Sequence, residues 1–202
     1  MCNNLLGDKV KRKELIKVIE EFVRCVMGDD DAHGYPHVER VRKLALWLSK
    51  FYEVDEEVIE IAVLLHDIGR LCGGDEHAHE SAILARRLLE VLNYPKDKLE
   101  KVIEAIEAHS YTSGVEPKSL EAKIVSDADK LDALGSIGIA RVFLYSCHIG
   151  RSIKDSLEHF KEKILNLPKV MYTEVGRKEA LRRVKIVREF VEQLENELKF
   201  YT

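Results

Sequence analysis

Apolar residues recur three or four positions apart from one end of this 202-residue chain to the other, a period that builds helices and not strands. From about Asp8 to Met27, the residues Leu15, Ile16, Ile19, Phe22, Val23 and Val26 form one stripe, and Gly28 stops it. A polar loop over 29–36 follows. A second helix begins near His37 with Val41, Leu44, Ala45, Leu48 and Phe51 inward, and Asp55 can cap a third from Glu56 to about Ile68. Residues 70–76 read as a loop, and a fourth helix runs from His77 or His79 to Leu92. Pro95 opens a fifth, 110–117 is another polar loop, and a sixth spans about Leu120 to Leu134. Gly135 and Gly138 allow close backbone approach before Ile139 to Tyr145, and two further helices, about Ile153–Leu165 and Glu174–Lys199, flank Pro168. No β-alternation, internal repeat or low-complexity linker interrupts this. The expected fold class is all-α, with about eight or nine helices.

Composition narrows the function. The chain is 46% hydrophobic and 34% charged, enough for a sizeable core, and its 32 basic and 36 acidic residues are interspersed, giving a formal net charge of −4. That balance argues against a polymeric nucleic-acid partner held by bulk charge, but leaves room for a local basic pocket. Cys2, Cys25, Cys72 and Cys147 stand far apart without a CxxC pair, as expected in a reducing compartment. No segment is apolar for long enough to span a bilayer, and Met1–Gly7 leads into a basic amphipathic helix rather than a signal-peptide core. The expectation is a cytoplasmic protein with no membrane partner. An outer helix face is available for a homodimer.

Chemistry concentrates in Ala62-Val63-Leu64-Leu65-His66-Asp67-Ile68-Gly69, where an imidazole and a carboxylate end an apolar run. Burying that pair is costly unless a cation compensates it. His66 shares a face with Ile59, Ala62 and Val63, and His37 lies four and seven residues before Val41 and Leu44. Asp129 follows Ala122 and Val125 at i+7 and i+4, so it also sits on an apolar face. Two imidazoles and two carboxylates, His37, His66, Asp67 and Asp129, suit one divalent ion. Mn²⁺ comes first, with Mg²⁺, Ni²⁺, Co²⁺, Fe²⁺ or Zn²⁺ as alternatives. Such a site implies metal-assisted hydrolysis of a phosphoester or phosphoanhydride.

The segments His33-Gly34-x-x-His37-x-x-Arg40-Val41, Leu64-Leu65-His66-Asp67-Ile68-Gly69 and Asp127-Ala128-Asp129-Lys130-Leu131-Asp132-Ala133-Leu134-Gly135 together resemble the HD-domain superfamily of metal-dependent phosphohydrolases. The similarity is closest to its small bacterial and archaeal nucleotide-acting branch, and spans roughly residues 20–190. It implies a single helical domain over 1–202, with an HD core at about 20–150 and a C-terminal helical extension at about 151–202. It also implies a small phosphorylated substrate, most simply a nucleotide.

Carried over by position, the family's first ligand falls on His37, its doublet on His66 and Asp67, and its closing aspartate on Asp129. His33 competes with His37, although the register with Val41 and Leu44 favours His37 and leaves His33 at the rim, near substrate phosphate. Asp127 and Asp132 are candidates to orient a ligand ring. Asp67, His109 and His33 are the expected catalytic groups, and Arg40, His79, Lys130 and Arg70 the expected substrate-binding ones. His79 and His109 fall where two-metal members of the family insert further histidines, so a two-metal oxygenase or cyclic-nucleotide phosphodiesterase is the alternative. A non-catalytic nucleotide-binding module is another. Arg177, Arg182 and Arg183 are read as a solvated face, and His77, His148 and His159 receive no role.

Overall fold

A computed structural model describes residues 2–73, 76–111 and 113–201, with side chains from residue 12 onward. Among the described residues it contains nine α-helices, two short 3-10 helices and no strand. The helices are α1 (Cys2–Met27), α2 (Tyr35–Ser49), α3 (Glu56–Leu65), α4 (His77–Val91), α5 (Lys96–Glu107), α6 (Leu120–Asp132), α7 (Gly135–His148), α8 (Ile153–Glu162) and α9 (Glu174–Phe200). Helix α1 begins six residues before the signal at Asp8, because nothing stronger than Gly7 interrupts it and one helical glycine costs only about 1 kcal/mol.

Helix α3 is the buried axis. Asp55 caps it by accepting the Glu57 amide at 3.1 Å. From Val58 to Leu65 only Glu60 escapes burial. An all-round apolar helix must be enclosed, and α1, α2, α4, α5 and α6 pack around it. The third helix ends at Leu65, earlier than its apolar period, because the His66 ring takes the Val63 carbonyl (Nδ1···O 2.6 Å) that the Asp67 amide would otherwise use. The chain then turns at Asp67 into a 3-10 helix over Ile68–Cys72.

The C-terminal third covers one flank. Phe143, Phe160 and Phe190, from α7, α8 and α9, meet with ring centroids 5.8–5.9 Å apart. Gly138 lets the first turn of α7 press on the end of α6, since a Cβ there would lie 2.1 Å from the Ala133 carbonyl oxygen. Helix α9 is pinned by Asp127, whose carboxylate accepts the Tyr172 and Thr173 amides (2.9 and 2.8 Å) and the Thr173 hydroxyl (2.6 Å). Thr173 in turn caps α9 through the Gly176 amide. Asp127 is thus a structural anchor and orients no histidine. The solvated-face reading holds for Arg182; Arg183 instead donates to the Leu131 carbonyl at 3.0 Å and Arg177 to that of Met171 at 2.9 Å.

Candidate metal centre and its cleft

Three histidines turn the same atom, Nε2, towards the His66–Asp67 pair, and the partner of each Nδ1 is the reason. His66 follows the last residue of α3 and His109 stands just beyond α5, and each ring donates Nδ1–H to a carbonyl three residues earlier, Val63 and Ile106, at 2.6 Å. A carbonyl has no hydrogen to give, so each Nδ1 carries one and each Nε2 keeps its lone pair. On α2, His37 Nδ1 bonds Asp132 Oδ2 at 2.7 Å, which turns its Nε2 inward as well. Capping a helix end and aiming a ligand are one act here.

The Nε2 atoms of His37 and His66 stand 3.3 Å apart. His37 Nε2 is 3.4 Å from Asp129 Oδ1 and 3.8 Å from Asp67 Oδ2, and His66 Nε2 is 3.7 Å from Asp67 Oδ2. Ligand atoms about 2.1 Å from a common ion would stand roughly 3.0–3.4 Å apart. Two groupings therefore could hold a divalent ion, His37/His66/Asp129 and His66/Asp67/His109, each with ligand atoms within 4.8 Å of one another. Asp67 Oδ1 strengthens the case, being buried without a hydrogen-bond partner among the described residues.

Charge points the same way. Burial pulls the His66 imidazole down to about 4, against the pull of the Asp67 carboxylate, so it is a neutral donor at neutral pH. Burial opposes ionisation of Asp67 and Asp129, but the surrounding imidazoles, and Arg70 beside Asp67, hold both well below the usual carboxylate range. Burial and Arg141 push His37 down while Asp129 and Asp132 push it up, and the carboxylates prevail. A positive charge belongs between these groups, supplied by a proton on His37 or by a bound cation.

Asp132 is the hub behind His37. It accepts Arg40 Nε at 2.9 Å and Arg40 Nη2 at 3.1 Å, and pairs with Arg141 Nη1 at 3.0 Å. Arg40 also bonds Asp31, so the expectation that it meets substrate is corrected: its guanidinium is committed to the Asp132 network and does not line the cleft. Arg70 does line it, donating Nε–H to Asp67 Oδ2 at 2.6 Å. Lys130, 4% exposed, bonds the Ser126 hydroxyl and lies 4.9 Å from the Tyr172 ring centroid. His33 sits on the cleft wall, its ring edge-on to Tyr145 at 4.7 Å. Burial and nearby Arg70 lower it to about 3, so the ring is neutral at neutral pH.

His79 turns away from the cluster and lines a neighbouring pocket with His77, Glu107 and Ser110. Helix α4 starts at His77, and two residues on, the side chain has rotated to the outside: His79 is 61% exposed and 3.9 Å from Glu107. His77, given no role from sequence, takes the inward place, with Nε2 3.6 Å from Asp67 Oδ1 and its ring 5.4 Å from that of His109. His109 Nε2 lies 3.7 Å from the same oxygen. Burial and Arg70 hold His77 near 4.

Asp129 and His77 carry the edge of this buried cluster to a cleft of about 780 Å³, counting its open mouth, while His37, His66, Asp67 and His109 lie enclosed behind it. Arg70, Lys130, Arg141, Arg151 and Lys163 line it against one carboxylate, Asp129. Sequence reasoning missed Arg141, Arg151, His159 and Lys163. The four-residue spacings of Arg141 to Tyr145 and His159 to Lys163 were the available signals, but only the packing of α7 on α6 and of α8 on α7 gives them meaning.

The structure thus sets a buried histidine–aspartate cluster that could hold a metal ion beside a cationic cleft in an all-α fold. The HD domain family model matches residues 34–134, and the chain belongs to that family. It is 29% identical to YpgQ of Bacillus subtilis over 198 residues, covering 94% of this chain and 96% of YpgQ. The crystal structure of B. subtilis YpgQ in complex with ADP superposes with a TM-score of 0.75 at 27% identity, over 90% of this chain and 97% of that one. An HD-superfamily hydrolase from Bacillus thuringiensis is 33% identical with a TM-score of 0.73, over 93% and 98% of the two chains.

Proposed function

We propose that this chain is a divalent-metal-dependent phosphohydrolase acting on a nucleotide or another small phosphorylated metabolite. The observation that carries the reading is the convergence of the His37 and His66 Nε2 atoms with the Asp67 and Asp129 carboxylates, of which Asp129 opens onto a cation-lined cleft. These four residues would hold the ion, Mn²⁺ being the first candidate. A divalent ion bound there lowers the pKa of water and polarises a phosphoryl oxygen. The ADP complex of YpgQ supports a nucleotide as ligand.

The chain's own groups supply the rest. Arg70, Lys130 and Arg141 offset negative charge on the transferring phosphoryl group. His109, held in one tautomer by the Ile106 carbonyl, can take or return a proton at Nε2 beside Asp67. His33, neutral at the wall, offers a hydrogen bond without adding charge. Burial of the cluster keeps bulk water from competing.

One observation favours a second reading with two ions: Asp67 Oδ1 lies unpartnered between His77 Nε2 and His109 Nε2. The oxygenase and phosphodiesterase alternatives require it, and metal analysis of protein purified without chelator separates the two by one or two equivalents per chain.

The test is a panel of nucleoside mono-, di- and triphosphates with the purified chain and Mn²⁺. Phosphate or pyrophosphate release that falls at least a hundredfold in His66→Ala is expected. No release from any member, or full activity in the variant, would overturn the reading.

A further inference from the structure

Part of the cleft that Asp129 opens onto is lined by residues beyond the family-matched segment. Arg151 precedes α8, His159 lies in its last turn, and Lys163 follows it by a residue. Both cationic side chains are half-buried, yet neither has a carboxylate within ion-pair distance among the described residues. Lys161, two residues from Lys163 but pointing outward, pairs with Glu195 at 2.5 Å. The contrast separates a lysine serving the surface from one serving the cleft.

Lys163 has one favourable neighbour in Asp129 and three opposing ones in Arg70, Arg141 and Arg151. Burial and those cations pull its amine below the ordinary lysine value. His159 is held near 4 by burial, Arg151 and Lys163, so it is a neutral hydrogen-bonding group between two cations. The Lys163 ammonium lies 5.8 Å from the Tyr111 ring centroid, which closes this wall against the loop after α5. Arg151 and Lys163, half-buried without a carboxylate in ion-pair range among the described residues, gain free energy from an anion bound between them.

We propose that Arg151, His159 and Lys163 form a second anion subsite, which holds a phosphate of the substrate other than the one being hydrolysed and so selects phosphoanhydride chains over monophosphates. The inference rests on the proposed phosphohydrolase reading for its place in a reaction, but the subsite binds without turnover. The histidine–aspartate cluster takes the reacting phosphoryl group, and the far wall holds the remainder of the chain by charge, with His159 donating a hydrogen bond.

The test is calorimetric titration of inorganic tripolyphosphate and of orthophosphate into the full chain in EDTA, where no hydrolysis consumes the probe. Wild type is expected to bind tripolyphosphate at least tenfold more tightly than orthophosphate. Arg151→Gln/Lys163→Gln should weaken tripolyphosphate at least tenfold with little change in melting temperature, while Lys163→Arg stays within threefold of wild type. Lys185→Gln/Arg188→Gln, which removes equal charge from an exposed stretch of α9, should bind as wild type does. Unchanged tripolyphosphate binding in the first double variant, an equal loss in the second, or no detectable binding by wild type would overturn the subsite. A chain that binds in this pattern but hydrolyses nothing keeps the subsite and loses the enzymatic reading.

Discussion

At the scale of single residues, the site is organised by what the far nitrogen of each histidine touches. His66 and His109 borrow helix-end carbonyls, and His37 uses Asp132, which Arg40 and Arg141 keep ionised despite its burial. Asp132→Ala removes the partner that aims His37 and takes one carboxylate from Arg40 and Arg141, which keep Asp31 and the Ala32 carbonyl. Mn²⁺ affinity measured by calorimetry should then fall 10- to 100-fold, the usual cost of losing a group that orients a ligand. An unchanged affinity would mean that His37 is aimed by packing alone. His37, His66, Asp67 and Asp129 were legible in the sequence because helical register puts each on an apolar stripe. His77 was not, since its direction depends on where α4 begins, and the two residues of uncertainty there separate it from the exposed His79.

At the scale of elements, the C-terminal helix matters because α8 and α9 hold the far wall of the cleft against α6 and α7. Asp127 receives three hydrogen bonds from the start of α9, so Asp127→Ala strands two backbone amides and a hydroxyl. A loss of about 2–3 kcal/mol is expected, read from urea unfolding, with faster amide exchange over the first turn of α9. Glu179 ties the same helix to Arg182 and Arg183, and those guanidinium groups lower its carboxyl to about 2. A depressed carboxyl stabilises the fold above its unfolded value near 4.5 and loses that contribution as pH falls towards 2. Glu179→Gln should therefore cost about 1 kcal/mol at pH 7, allowing for the exposure of Arg182, and the gap in melting temperature should close by about pH 2–3. Helix existence and order were readable from periodicity and caps. The early end of α3 was not, because a side chain rather than a breaker residue ends it.

At the scale of the molecule, a chain of net charge −4 gathers five cationic side chains along one cleft. Composition averages that separation away, so the cleft was invisible before folding brought His33, Arg70, Lys130, Arg141, Arg151 and Lys163 to one wall. Among the described residues no helix is long and apolar enough to cross a membrane. The histidine–aspartate cluster is built on the most enclosed helices, which gives an ion a rigid seat and lets its binding stabilise the native state. Calorimetric titration of Mn²⁺ into the chelator-stripped chain, beside His66→Ala, tests the metal centre most directly. Saturable binding of one or two equivalents, weakened at least a hundredfold in the variant, is the predicted result; equal Mn²⁺ affinity in the two proteins would contradict it.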